Sequence, residues 1–231
     1  MSRIVQKNIS SDTKNIVVFV HGFGVRWDSR GMFSEIVDSL PINWGSLLFD
    51  LYDVKGDDVF VIDLKEQASR LNGIIKELKR DFPDVILHII AHSKGCIVTA
   101  LAQPIVKGRV IFLAPPEKFG SDLQKYFEEY PGTKKSENEL TVPRKDGTNT
   151  HIPLRYFDES TSIDAQQAVK DYSNQQKLII IQTLNDEVIG KTTYSQLLGN
   201  DAIDIYQMNS DHNFTGKFRL ELLNKFEELL K

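Results

Sequence analysis

The sequence predicts a doubly wound α/β fold, a mainly parallel β-sheet with helices on both faces. Three observations carry the expectation. Short runs rich in β-branched residues alternate with amphipathic stretches. The run Asp84–Ile90 holds almost no polar residues, as a strand buried on both faces of a parallel sheet does. Strand–helix pairs are too few for the eight repeats of a barrel.

Asn15–Val20 reads as the first buried strand, ending at His21-Gly22. Gly31–Leu40 follows as a helix with Phe33, Ile36, Val37 and Leu40 on one face. Ser46–Leu51 is the next strand. Lys65–Phe82 is a long helix whose stripe is Ala68, Leu71, Ile75 and Leu78, the spacing of a 3.6-residue period. After the strand Asp84–Ile90 come a helix over Gly95–Val106 and a strand over Gly108–Leu113, stopped by Pro115-Pro116. Lys177–Thr183 is strand, Thr193–Leu198 a short helix and Ala202–Met208 the last strand. The closing helix, Lys217–Leu230, aligns Phe218, Leu222, Phe226 and Leu229.

Residues 117–171 break this rhythm. Charged and aromatic residues without a core period lead into a hairpin signal: Glu139-Leu140-Thr141-Val142, a turn at Lys145-Asp146-Gly147, then Thr150–Tyr156. Pro143 and Pro153 suit edge strands, which places the hairpin outside the main sheet. The expectation is a single domain, 1–231, with a lid-like insertion at about 117–171. The insertion's aromatic residues, Phe119, Tyr126, Phe127, Tyr130, Tyr156 and Phe157, would form a small core of their own.

Composition narrows the function. The chain has 231 residues, 41% hydrophobic and 26% charged, which suits a soluble globular domain. Its net charge of −4 is spread along the chain, with no basic stripe for a phosphate backbone and no polybasic segment for a membrane surface. Nucleic acid is therefore not an expected partner. The apolar run Ile16–Val20 is too short for a signal-peptide core or a membrane span, so the reading is a cytoplasmic enzyme with no integral membrane segment. One cysteine, Cys96, forbids an internal disulfide and any multi-cysteine metal site. Gly22-x-Gly24 is followed by Trp27 where a dinucleotide-binding loop would need its third glycine, which argues against a nucleotide enzyme.

The chemistry concentrates at Ala91-His92-Ser93-Lys94-Gly95, directly after a buried strand and directly before a helix. A serine on that turn is thrust out on a strained bend, and the residues two before and two after it must be small. Ala91 and Gly95 meet that need, Ala91 with one methyl more than the usual glycine. A serine here also suits a helix N-cap. A partner set in the right chain order favours the nucleophile. Serine needs a general base, and His151 and His212 are the two histidines that follow it. His212, after the last strand, is better placed than His151 in the hairpin. The acid should follow the preceding strand, where Asp186 is favoured and its neighbour Glu187 is the rival. The loop His21-Gly22-Phe23-Gly24 lets backbone amides approach a developing oxyanion, and the expected donors are the amides of Phe23 and Lys94.

This arrangement resembles the α/β-hydrolase superfamily, near its compact esterase and lipase-like members, over the whole chain except 117–171. The resemblance implies a Ser-His-Asp hydrolase of esters or related acyl compounds that needs no cofactor. Its roles fall on Ser93, His212, Asp186, Phe23 and Lys94; it names no substrate. A carboxylic ester is the leading expectation and a small-molecule ester the expected partner. Thioesters, amides, lactones and C–C bonds would use the same parts, and a non-catalytic binding protein on the same fold is the alternative of another class.

The remaining residues have two readings each. Gly22, Gly24, Arg26 and Trp27 are candidates for the substrate pocket, with a solvated loop held by a pair such as Arg26 and Asp28 as the plainer reading. The Lys94 side chain either raises the local positive potential or points to solvent. His21 is expected to prop the oxyanion loop, His88 and His92 to pack, and Cys96 to be inert core.

Overall fold

The computed structural model describes residues 4–120 and 123–230. Expectations touching Met1–Arg3, or Ser121 and Asp122 of the 117–171 segment, lie outside the described residues. In chain order the elements begin β1 (Ile4–Asn8), β2 (Asn15–Val20), α1 (Met32–Asp38), β3 (Trp44–Phe49), β4 (Asp53–Lys55) and β5 (Asp58–Phe60). Next come α2 (Leu64–Asp81), β6 (Ile86–His92), α3 (Lys94–Ala102), β7 (Val110–Leu113), α4 (Leu123–Glu128) and β8 (Lys134–Lys135). The chain finishes with β9 (Glu139–Pro143), β10 (Asn149–Pro153), α5 (Leu154–Thr161), α6 (Ala165–Ser173), β11 (Leu178–Thr183), β12 (Ile203–Met208) and α7 (Lys217–Leu229).

The main sheet has the order β1-β3-β2-β6-β7-β11-β12, parallel throughout except for β1, which runs antiparallel to β3. Its inner strands serve two cores at once. Ile16, Val18 and Val20 of β2 face one core while Val17 and Phe19 face the other, and β6, β7 and β11 alternate in the same way. Period-2 alternation between two buried faces produces an unbroken apolar run. Helices α2, α3 and α6 pack on the first face, where Leu71, Ile75 and Leu78 of α2 meet the sheet. Helices α1 and α7 pack on the second, α7 through Leu222, Phe226 and Leu229. Helix α3 is buried from Lys94 to Ala100 and apolar on most of its faces, with only its last turn reaching the surface at Leu101.

Elements one to two residues apart from their expected ends need no comment. Helix α3, in contrast, stops at Ala102, four residues short of Val106, because Gln103 turns left-handed (φ +48°) ahead of Pro104. Three further findings differ in kind. No helix forms over Thr193–Leu198. Tyr194 sits at φ +48°, outside the right-handed helical region, and its buried hydroxyl donates to the Pro115 carbonyl at 2.6 Å, so the segment runs as turns. The hairpin β9–β10 does lie outside the main sheet, but not as edge strands. It belongs to a second sheet of order β4-β5-β10-β9-β8, in which β10 pairs with β9 on one side and, in parallel, with β5 on the other. Pro143 and Pro153 are tolerated because each is the last residue of its strand. Among the aromatic residues of this region, Tyr156 and Phe157 are buried in the main core, whereas Tyr126 is 60% exposed.

The 117–171 segment is tied to the rest at named points. Glu159 of α5 accepts hydrogen bonds from the amides of Leu64 (2.7 Å) and Lys65 (3.1 Å), capping α2 in place of Asp63, whose side chain makes no cap bond. Among the described residues no helix is long and apolar enough to cross a membrane.

Candidate active site

Ser93 stands at the joint between β6 and α3. Its φ of +54° and ψ of −126° lie in a region that costs a non-glycine residue energy. The bend is fixed by the Ser93 amide donating to the Leu113 carbonyl (2.8 Å) and by the Cys96 amide donating to the Ser93 carbonyl (2.9 Å). Gly95 cannot be larger: a Cβ there would lie 2.7 Å from the His21 carbonyl oxygen and closer still to that of Val20. Ala91 fits with its methyl fully buried. Ser93 occupies the N-cap position, yet its side chain makes no cap bond. The hydroxyl instead meets His212 Nε2 at 2.9 Å.

His212 lies on the loop after β12 and is 4% exposed. Its Nδ1 is 2.7 Å from Asp186 Oδ2, while its carbonyl is 2.9 Å from His92 Nε2 and its amide donates to Glu187 at 3.1 Å. The two acids after β11 thus do different jobs. Asp186 faces the ring, and Glu187 fixes the backbone of the same residue. Asp186 is itself held by Thr183 Oγ1 on Oδ2 (2.5 Å) and by the amides of Val188 (3.0 Å) and Ile189 (2.9 Å) on Oδ1. Burial alone would raise its carboxyl pKa, but the hydrogen bond and charge of His212 and these further donors outweigh that and leave it lowered. His151 is elsewhere, between Glu139 (2.8 Å) and Asp58 (3.5 Å) and stacked on Phe60.

The loop after β2 passes directly beside the serine: a Cβ on Gly22 would lie 3.2 Å from Ser93 Cβ. Gly24 has φ +66°, a conformation that favours glycine. Among the described residues neither the Phe23 nor the Lys94 amide has a backbone acceptor, which leaves both free to donate elsewhere.

Arg26 does not pair with Asp28. Its guanidinium grips the fully buried Asp50 at the end of β3, with Nε 3.1 Å from Oδ1 and Nη2 3.1 Å from Oδ2, while Asp28 accepts from the Ser34 amide at 3.1 Å. The Trp27 amide also donates to Asp50 (3.0 Å), and its indole packs against the α1–α7 core. Asp50 thereby organises the exit of the loop after β2, a role no sequence motif announces.

The solvent-pointing reading of Lys94 fails as well. The residue is 2% exposed, its ammonium donates to Gln67 Oε1 and lies 4.5 Å from the centre of the Tyr52 ring. Burial holds its pKa well below the ordinary lysine value. His21 and His92 are neutral for the same reason: burial first, then a neighbouring charge (Lys94 and His212 respectively), push each down to about 3. His88 is held between Asn15 and the Arg109 amide. Cys96 is buried, with its thiol pKa raised by that burial. Among the described residues no group of three or more His, Cys, Asp or Glu side chains gathers as a metal site would.

Sequence reasoning missed Tyr52, Thr183 and the bracing role of His92. Each acts by packing or by a single hydrogen bond to a loop, and only His92, adjacent to Ser93, lay within a recognisable pattern.

Residues 1–110 match the family described as "Alpha/beta hydrolase of unknown function (DUF900)". Among solved structures, the chain is similar to Est1E from Butyrivibrio proteoclasticus, with a TM-score of 0.66 and 16% identity over 98% of this chain and 97% of that one. The Pyrococcus furiosus esterase Pf2001 gives a TM-score of 0.65 and 16% identity over 100% and 89%. Paleococcus ferrophilus monoacylglycerol lipase gives 0.65 and 14% over 99% and 98%. Zea mays acyl-protein thioesterase 2 gives 0.53 and 13% over 100% and 99%. No curated protein sequence matches the chain significantly.

Proposed function

We propose, from the premise that this chain is an α/β hydrolase by fold, that it is a serine hydrolase cleaving carboxylic esters of small to medium acyl groups. The observation that carries the reading is the hydrogen-bonded line from Ser93 Oγ through His212 to Asp186, 2.9 and 2.7 Å long. Ser93 Oγ attacks the ester carbonyl as His212 Nε2 takes its proton. The carbonyl oxygen gains the negative charge and is met by the amides of Phe23 and Lys94, the latter at the start of α3, where the helix dipole adds to the hydrogen bond. The tetrahedral centre collapses and His212 hands its proton to the departing alcohol. Water then gives a proton to His212 and attacks the acyl-serine, and the acid leaves as Ser93 recovers its hydrogen. Asp186 keeps the His212 proton on Nδ1 and stabilises the imidazolium in both halves.

Segment 117–171 serves as a lid in this reading. Support comes from Arg144 of the hairpin turn, which donates to the Gly24 carbonyl (3.2 Å), and from Phe127 and Tyr156, whose rings lie 5.1 and 5.5 Å from that of Phe23. The ester class draws support from the likeness to the Pyrococcus furiosus esterase and the Paleococcus ferrophilus monoacylglycerol lipase. A thioester is the second reading, favoured by the likeness to a thioesterase.

An organophosphate probe tests the core of the proposal. Intact-mass spectrometry should find one adduct on the wild-type chain and none on Ser93→Ala; no adduct on either, or the same adduct on both, would defeat it. A series of p-nitrophenyl esters of rising chain length, run beside matched thioesters, then reads the acyl class.

A further inference from the structure

Tyr52 lies three residues beyond β3 and is 1% exposed. Its hydroxyl donates to the Gly22 carbonyl at 3.2 Å. The same carbonyl accepts from His21 Nδ1 at 2.9 Å. The tautomer of His21 is not free to vary, because its Nε2 accepts the Leu51 amide at 2.8 Å, which leaves the single ring proton on Nδ1. Burial keeps the imidazole neutral, with a pKa of about 3, and lifts the Tyr52 phenol well above its usual value. Both groups are therefore standing donors. The Tyr52 ring is fixed in turn by the Lys94 ammonium over one face and by the edges of His21 and Phe23, at 5.0 and 6.2 Å.

A trans peptide is planar, and its C=O and N–H point in opposite directions. Two buried donors that draw the Gly22 carbonyl to one side therefore turn the Phe23 N–H to the other. Gly22 abuts Ser93, so this peptide plane lies beside the reacting serine.

We propose that Tyr52 is a positioning residue: together with His21 it clamps the Gly22 carbonyl, so that the Phe23 amide stays aimed at the oxyanion formed on Ser93. The inference rests on the hydrolase reading of the site. Tyr52 touches neither substrate nor the reacting atoms; it acts through one peptide plane, and its loss weakens transition-state binding more than ground-state binding.

Tyr52→Phe removes one oxygen and keeps the ring. Losing an oxyanion donor outright costs about 10²–10³-fold in turnover, so a donor that is loosened but present should cost about tenfold in kcat. KM should stay within about twofold, and the rate of organophosphate labelling should fall with kcat. Tyr172→Phe is the control, since that hydroxyl is also buried and also donates to a carbonyl, Pro104 at 2.6 Å, away from the site. It should lose comparable thermal stability and no kcat. If Tyr52→Phe does not fold, His21→Gln removes the other donor from the same carbonyl and should give the same kcat-selective loss. Unchanged kcat in a folded Tyr52→Phe, or an equal loss in Tyr172→Phe, would overturn the clamp while leaving the hydrolase intact. Wild-type chain that takes no label at Ser93 would overturn both.

Discussion

Asp186→Asn gives the sharpest test of how the acid works, because its surroundings decide which way the new amide must point. In the carboxylate, Oδ1 accepts two backbone amides, those of Val188 and Ile189, while Oδ2 faces His212 Nδ1 and the rotatable hydroxyl of Thr183. Asparagine has one oxygen and one NH2. With the oxygen towards the two amides, NH2 points at His212 Nδ1, which must then give up its proton and hold it on Nε2. That tautomer cannot accept the Ser93 proton. The flipped rotamer restores the ring but sets NH2 against two N–H donors, each left unsatisfied at about 1–3 kcal/mol, or about 2–6 kcal/mol together. The inactive orientation therefore wins, and since 1.36 kcal/mol is about tenfold, the active one holds between roughly one part in 30 and one part in 25,000 of the population. Loss of turnover should approach the about 10⁴-fold seen when the acid of a serine protease triad is changed in this way. Glu187→Gln, whose oxygen can still accept the His212 amide, should cost no more than a few-fold. Initial rates on a p-nitrophenyl ester, with thermal melts to confirm folding, check both. Asp186→Asn keeping a tenth of wild-type activity, or Glu187→Gln losing as much as Asp186→Asn, would refute the division of labour between the two acids.

Other consequences follow from the packing. Gly95→Ala drives a methyl into the Val20 and His21 carbonyls, so the expected result is loss of folded protein, read by circular dichroism. Stability to urea should fall as pH drops from 6.5 towards 3. There the unfolded chain protonates His21 and His92 while the folded chain, with both at about 3, does not, so stability rises with pH across that window by on the order of 4–5 kcal/mol per histidine. His92→Gln should flatten the slope. Below 3.8 the lowered pKa of Asp186 adds a further loss in the same direction. Glu159→Ala uncovers the amides of Leu64 and Lys65, and a drop of about 1–2 kcal/mol in unfolding free energy is expected by urea titration.

Much of the architecture was legible because the sheet is buried on both faces. Runs such as Asp84–Ile90 have to be apolar, and α2 and α7 have to be amphipathic, so their positions could be read directly. Ser93, His212 and Asp186 could be singled out because the strand–turn–helix context and chain order leave few rivals. The short elements were opaque. β4, β5 and β8 span two or three residues each and carry no period, and β1 is an edge strand with an irregular register near Ile4. Tyr194 shows the opposite failure, a helical pattern overridden by one left-handed residue and one buried hydroxyl. Lys94 defied composition logic: a lysine at a helix start reads as solvated, and only the pocket formed by Tyr52 and Gln67 makes burial possible.

The second sheet has a bearing on how the chain is made. Asn149 reaches Asp58 across 91 residues, and β10 lies in parallel register with β5. During synthesis, β4 and β5 leave the ribosome as a two-stranded ribbon with both edges open, too small to be stable alone. Nothing closes the β5 edge until the hairpin at 139–153 has emerged, and the long loop carries its entropy of closure until then. Meanwhile the nascent chain presents an unpaired strand to any neighbour able to dock on it. Exchanging the 117–171 segment for that of another protein would prolong the same exposure, so a working chimera has to carry residues 53–60 along with it.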